Sequence, residues 1–216
     1  MKRKIFLLTA IILTVSLALT ACTQGTINEA KAKELALDNI NKVFQTNQTE
    51  ATVTREQMGC LPDQVGAMAT NGNAEDTSRW LYIVSVPSRD DEKYGAYVVE
   101  STGEVIYLSQ NENNITLTDE QQKEAETLLA AEADYGNMHQ KAIANLKIAC
   151  EEWAIANLND SHPILLDALR GKLPDQPATE KFSADFYVVT NDARVYCITM
   201  YWPSMQVLNI DVVNDK

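Results

Sequence analysis

Histidine is nearly absent from this 216-residue chain, which has only His139 and His162. Neither stands in a catalytic motif, and no serine or cysteine occupies an elbow with a nameable base and orienting acid, so triad hydrolysis is not expected. Ser161 adjoins His162 but reads as the N-cap of a short helix opening at Pro163. Metal-ligand spacing is missing too. The loops NGNAED (71–76) and SRDDEK (88–93) offer oxygen ligands without the spacing of an EF-hand. On a continuous helix, His139 would lie over three turns from Glu151 and Glu152. No enzymatic activity, metal or cofactor is therefore expected. Basic stripes are also lacking: the formal charge is −12, which argues against nucleic acid as a partner.

No hydrophobic run is long enough for a permanent membrane span. The longest begins after MKRK and covers Ile5 to Leu19, interrupted only by Thr9, Thr14 and Ser16. Fifteen residues reach about 22 Å as a helix, short of the about 30 Å of a hydrocarbon core. A charged start, a short apolar stretch and small residues before a cut are the layout of a secretory signal peptide. The residues that close it, Leu19-Thr20-Ala21-Cys22, resemble the lipobox of bacterial lipoproteins. That resemblance implies cleavage between Ala21 and Cys22 and a diacylglyceryl group on the Cys22 thiol. At about 0.8 kcal/mol per buried methylene, two acyl chains anchor a protein stably where one is marginal. The chain is thus expected to lie on the extracytoplasmic side of a bacterial cell membrane, held there through lipidated Cys22. Loss of residues 1–21 removes Lys2, Arg3 and Lys4 and takes the formal charge to −15. So acidic a domain should not lie flat on anionic lipid.

The remaining residues divide at the polar stretch SQNENNITLTDE. The expected organisation is a signal peptide (1–21), a lipidated N-terminus and short tether (22–26), an α+β domain (27–110), a linker (111–117) and a second helix-then-sheet domain (118–216). In the first domain, Thr26 and Glu29 form a capping box ahead of AKAKELALDNINKVF, whose apolar residues recur at helical spacing. ATVTREQ, RWLYIVSV and the hairpin GAYVVESTGEVIYL then read as strands, with Gly103 free to take a positive φ in the last turn. In the second, a helix spans about 118–134 and a longer one, HQKAIANLKIACEEWAIANL, carries Ile143, Leu146, Cys150 and Trp153 on one stripe. SHPILLDALRG reads as a short helix ended by Gly171, and DFYVVT, RVYCITMYW and MQVLNIDVV as strands. Helix before sheet thus occurs twice, the pattern of a diverged tandem repeat.

AKELAL (32–37) followed by AYVVESTGEVIYL (96–108) resembles the PepSY family, with its Ala-spaced opening helix and closing hairpin. The resemblance implies a cystatin-like α+β unit over residues 27–110, and a second, diverged one after it, with helices packed on antiparallel sheets. It also implies a non-catalytic envelope module that binds a protein or peptide, in some members a peptidase. The rival expectation is a small ligand or ion held between helix and sheet. Of the thiols outside the lipobox, Cys60, Cys150 and Cys197, the pair Cys150–Cys197 is the candidate disulfide, with two buried free thiols as the alternative. Trp80, Tyr82, Tyr97, Tyr107, Tyr196, Tyr201 and Trp202 are expected to pack beneath the helices rather than to line a binding surface.

Overall fold

A computed structural model describes residues 26–58, 79–87, 93–131, 135–167 and 181–214. Cys22 with its signal peptide, Cys60 and the loop 71–76 lie outside these residues.

Helix α1 (Glu29–Val43) forms where Ala32, Ala36, Leu37 and Ile40 make one buried stripe. Its N-cap is Asn28 rather than Thr26. The Asn28 carboxamide oxygen accepts from the Lys31 backbone N–H at 2.9 Å, so the first-turn donor is met two residues later than the Thr26 capping box implies. Asn41 then clasps Gln48 through two hydrogen bonds of 2.9 and 2.6 Å and aims the chain into β1 (Thr52–Met58). β2 (Arg79–Val86), β3 (Tyr94–Val99) and β4 (Val105–Gln110) follow as an antiparallel meander.

Residues 111–117 contain a 3-10 turn, Glu112–Asn114, capped by Asn111. Thr118 and Gln121 open α2 (Asp119–Ala131) with a reciprocal capping box. α3 (Tyr135–Asn157) buries Ala142, Leu146, Cys150 and Ala154. The segment SHPILLD is not helical. Ile164–Asp167 is strand β5, paired along its whole length with β6 (Phe182–Val189), so cross-strand pairing overrides the helix expected there. β7 (Val195–Trp202) and β8 (Gln206–Asn214) complete a second meander.

The two meanders do not form two sheets. β4 pairs with β8, giving one eight-stranded antiparallel sheet of order β1-β2-β3-β4-β8-β7-β6-β5. One row of cross-strand partners runs through it: Val53, Val84, Ala96, Leu108, Ile210, Ile198, Phe186, Asp167. The six inner members of that row are buried and share one core with α1 and α3. All three helices therefore serve the same face, because side chains alternate across a strand and the row links every strand in one register. Each fully buried aliphatic side chain in this layer, such as Ile40 or Leu146, contributes about 1.5–3 kcal/mol. The opposite face carries a smaller cluster of Leu81, Val99 and Ile106. A bulge in β4 helps form it, since the register shifts between Tyr97 and Val98 and brings Ile106 to that side.

Candidate functional site

The sheet ends laterally in β1 and β5, and these edges differ in chemistry. Along β1, Thr52, Thr54, Arg55, Glu56 and Gln57 are exposed while Val53 packs against the core. β5 has only four residues, of which Ile164 and Leu166 are 61% and 51% exposed. Inner strands offer no free ladder. The β3–β4 hairpin lies between β2 and β8, so among the described residues only β1 in the first half keeps an unshared outer edge.

At the end of β1 a polar cluster fastens edge strand, turn and helix start together. The Arg55 guanidinium donates to both carboxylate oxygens of Glu100, from Nε at 3.0 Å and Nη2 at 2.9 Å. This bidentate pair holds the Glu100 carboxyl below the usual carboxylate range and pushes Arg55 up. Arg55 also lies 3.8 Å from the centroid of the Trp80 ring, and Trp80 is 40% exposed. The Tyr82 hydroxyl donates to the Ile27 carbonyl at 3.1 Å, and burial raises its pKa. The Ile27 N–H in turn donates to the Glu100 carbonyl at 2.9 Å. Four residues beyond Glu100, across the turn, Glu104 takes a second arginine, Arg194 from the β6–β7 turn, at 3.0 Å. Each glutamate flanking the β3–β4 turn thus holds an arginine, and Arg194 is shared with Asp192, 3.3 Å from its Nε.

Ser161, His162 and Asp160 do come together, but not as a hydrolytic centre. Ser161 Oγ is 2.8 Å from His162 Nδ1, both side chains being exposed neighbours on the chain. Ser161 caps no helix, because a strand follows. Asp160, 6% exposed, accepts from the His162 backbone N–H and from the backbone and side chain of Asn191, at 2.7–2.9 Å. It therefore ties the end of α3 to the β6–β7 turn rather than orienting the imidazole. His139 falls within α3, with its side chain outside the description. No group of three or more potential metal ligands occurs among the described residues.

The candidate disulfide is corrected by the same alternation that orders the core. Neither Cys150 nor Cys197 is joined in a disulfide. Cys150 lies under α3 in the core, whereas Cys197 pairs with Tyr187, the residue between buried Phe186 and Val188, and so points to the opposite face of the sheet. Burial, with the Cys197 thiol as a lesser cause, pushes the Cys150 thiol up to about 12. Of the aromatics, Tyr82, Tyr196 and Trp202 pack on the helix side as expected. Tyr97 and Tyr107 instead meet each other on the far face, ring centroids 4.7 Å apart. Tyr201, paired with Ser183, is buried on that face, and Trp80 stands open.

Shallow crevices open on the surface among the described residues. One of about 220 Å³ is lined by Lys93, Tyr94, Ser109, Gln110 and Asn111, and one of about 200 Å³ by Leu117, Gln122, Ala125, Lys181 and Pro203. Both fall below the about 300–1,000 Å³ usual for small-molecule sites. No helix among the described residues is long and apolar enough to cross a membrane.

No protein-family model matches the chain, and no curated sequence does. Among solved structures it is similar to the Bacillus megaterium YpeB C-terminal domain, with 8% sequence identity and a TM-score of 0.43. That similarity extends over 87% of this chain and 64% of the other, so the chain spans less than two thirds of that structure's length.

Proposed function

We propose that the protein is an envelope lipoprotein, anchored through Cys22, that binds a protein or peptide without transforming it. In this reading its two helix-plus-meander halves are tandem PepSY-like units, the second diverged, and the partner class includes peptidases held in check. The observation that carries the binding role is the outer edge of β1, a seven-residue strand with polar and charged side chains on both faces whose strand neighbour among the described residues lies on its β2 side alone. An extended segment adding there would gain backbone hydrogen bonds from the ladder, with side chains such as Arg55 and Glu56 supplying selectivity. The polar character fits an edge that resists self-association while remaining open to a specific strand. Pull-down from a native envelope with the chain from Thr23 onward, together with a peptidase-inhibition panel, tests the reading. A captured protein released by charge reversal at Glu56 supports it. No partner and no inhibition, with a tightly held small molecule recovered from native material instead, would replace it with the ligand-carrier reading.

A further inference from the structure

The first residue pinned to the fold is Ile27, held by the Glu100 carbonyl and the Tyr82 hydroxyl. Five residue steps separate Cys22 from Ile27, a covalent reach of at most about 18 Å. From Glu100 back along β3 to Lys93 is seven steps, about 23 Å in extended chain. A lipid on Cys22 therefore keeps the Ile27 end of the sheet near the bilayer and is too short to let the Lys93 end take its place.

That near end has its own chemistry. Arg55 and Arg194 both lie there, and Arg79 occupies the end position of the β1–β2 ladder, opposite Met58. Glu100 is matched by Arg55, and Glu104 by Arg194, whose Nε also lies 3.3 Å from Asp192, so the carboxylates at this end are paired rather than left as free charge. Elsewhere a chain of formal charge −12, or −15 once the leader is removed, is repelled by anionic headgroups. Trp80, 40% exposed beside the Arg55 guanidinium, supplies the amphipathic ring and cation that settle at headgroup depth.

We propose that this end is a membrane-facing surface, with Trp80 and Arg55 touching the lipid headgroups and the sheet standing on end above them. The inference rests on the acylation of Cys22. It would leave the β1 edge facing sideways, open to a partner in the envelope.

Acylated full-length protein in phosphatidylglycerol and phosphatidylethanolamine vesicles, with bromine or spin label near the headgroups, tests the orientation. Trp202 is buried and Trp153 half-buried, so the quenched emission should be that of Trp80 and should vanish in Trp80→Phe. A reporter placed at the far end, Asn113→Trp in the Trp80→Phe background, should stay unquenched. Mass spectrometry of the N-terminal peptide reads acylation independently. Acylated Cys22 with unquenched Trp80, or with a quenched reporter at 113, overturns the orientation alone; unmodified Cys22 overturns the anchoring and the orientation together.

Discussion

The two halves of the sheet close their last hairpins with the same turn and then solve their packing differently. In the β3–β4 turn the Gly103 N–H donates to the Val99 carbonyl at 2.7 Å with φ +74°. In the β7–β8 turn Met205 does the same to Tyr201 at 2.9 Å with φ 59°. Above the sheet the halves diverge. α1 alone lies across β1 to β4, whereas α3 lies on β6 and β7 with α2 against it. The outer edges diverge too, one long and polar, the other short and apolar. A long flat edge invites unwanted pairing and is guarded by charge, while four residues offer too short a template to need the same protection. Shared topology thus fixes the turn geometry but leaves cover and edge to each half.

Breaking the central ladder should have the largest effect. Val98 is fully buried in β3 and pairs with Tyr82 on one side and Val105 on the other. Val98→Pro removes a ladder donor in the middle of the sheet and should abolish the cooperative thermal transition followed by circular dichroism. A variant that still melts cooperatively near the wild-type temperature would show that the first meander is dispensable to the fold.

Truncating matched core residues asks whether the halves share one stability. Ile40→Ala in α1 and Leu146→Ala in α3 should each cost about 2–5 kcal/mol in denaturant unfolding. Because both residues belong to one core joined through the β4–β8 pairing, each should lower the same single transition. Two separated transitions, each moved by only one of the substitutions, would mean that the halves unfold independently.

The matched turns should respond with different magnitudes. Gly103→Ala places a Cβ 3.2 Å from Leu35 Cδ1 at a left-handed φ and should cost about 1–2 kcal/mol. Met205 already bears that strain, so Met205→Gly should be close to neutral, relief of the backbone offsetting lost packing of its half-buried side chain. Thiol labelling separates the two faces in the same manner. In native protein at neutral pH, Cys197 should alkylate well before Cys150, whose thiol is buried and held as the neutral form. Labelling of both at equal rates would contradict their placement on opposite faces.

Local pattern made α1 and the β3–β4 hairpin legible, since the Ala32-Ala36-Ile40 spacing and the glycine turn each act within a few residues. The joining of β4 to β8 was not, because Leu108 and Ile210 are far apart in sequence and no local preference encodes their pairing. Ile164–Asp167 misled for a different reason: a run of three apolar residues, Ile164 to Leu166, has no period to tell strand from helix. Strand alternation in RVYCITMYW could have revealed that Cys197 and its neighbour Ile198 face opposite ways, with the apolar stripe of α3 choosing Ile198. The Arg55–Glu100 pair has no local signal, its members lying 45 residues apart, and Trp80 stands in the sequence as one aromatic among several.

The smallest effect concerns the arginine pairs on either side of the β3–β4 turn. Glu100 has its folded pKa lowered by Arg55, so its contribution to stability is present above the ordinary glutamate pKa and is lost as pH falls through the depressed value. Arg55→Met should return the Glu100 carboxyl, followed by carbon-detected NMR titration, toward its ordinary value and remove that part of the acid dependence. With Arg55 42% exposed, solvent screening keeps the change in neutral-pH stability small. Arg194→Met provides the comparison, because its partner Glu104 belongs to the other half and its loss cuts a tie across the sheet instead of one within a half. Arg194→Met should leave the Glu100 titration unmoved. If both substitutions shifted Glu100 equally, the two pairs would be acting as one charge network across the turn, and the division between the halves would be electrostatically blurred at this end.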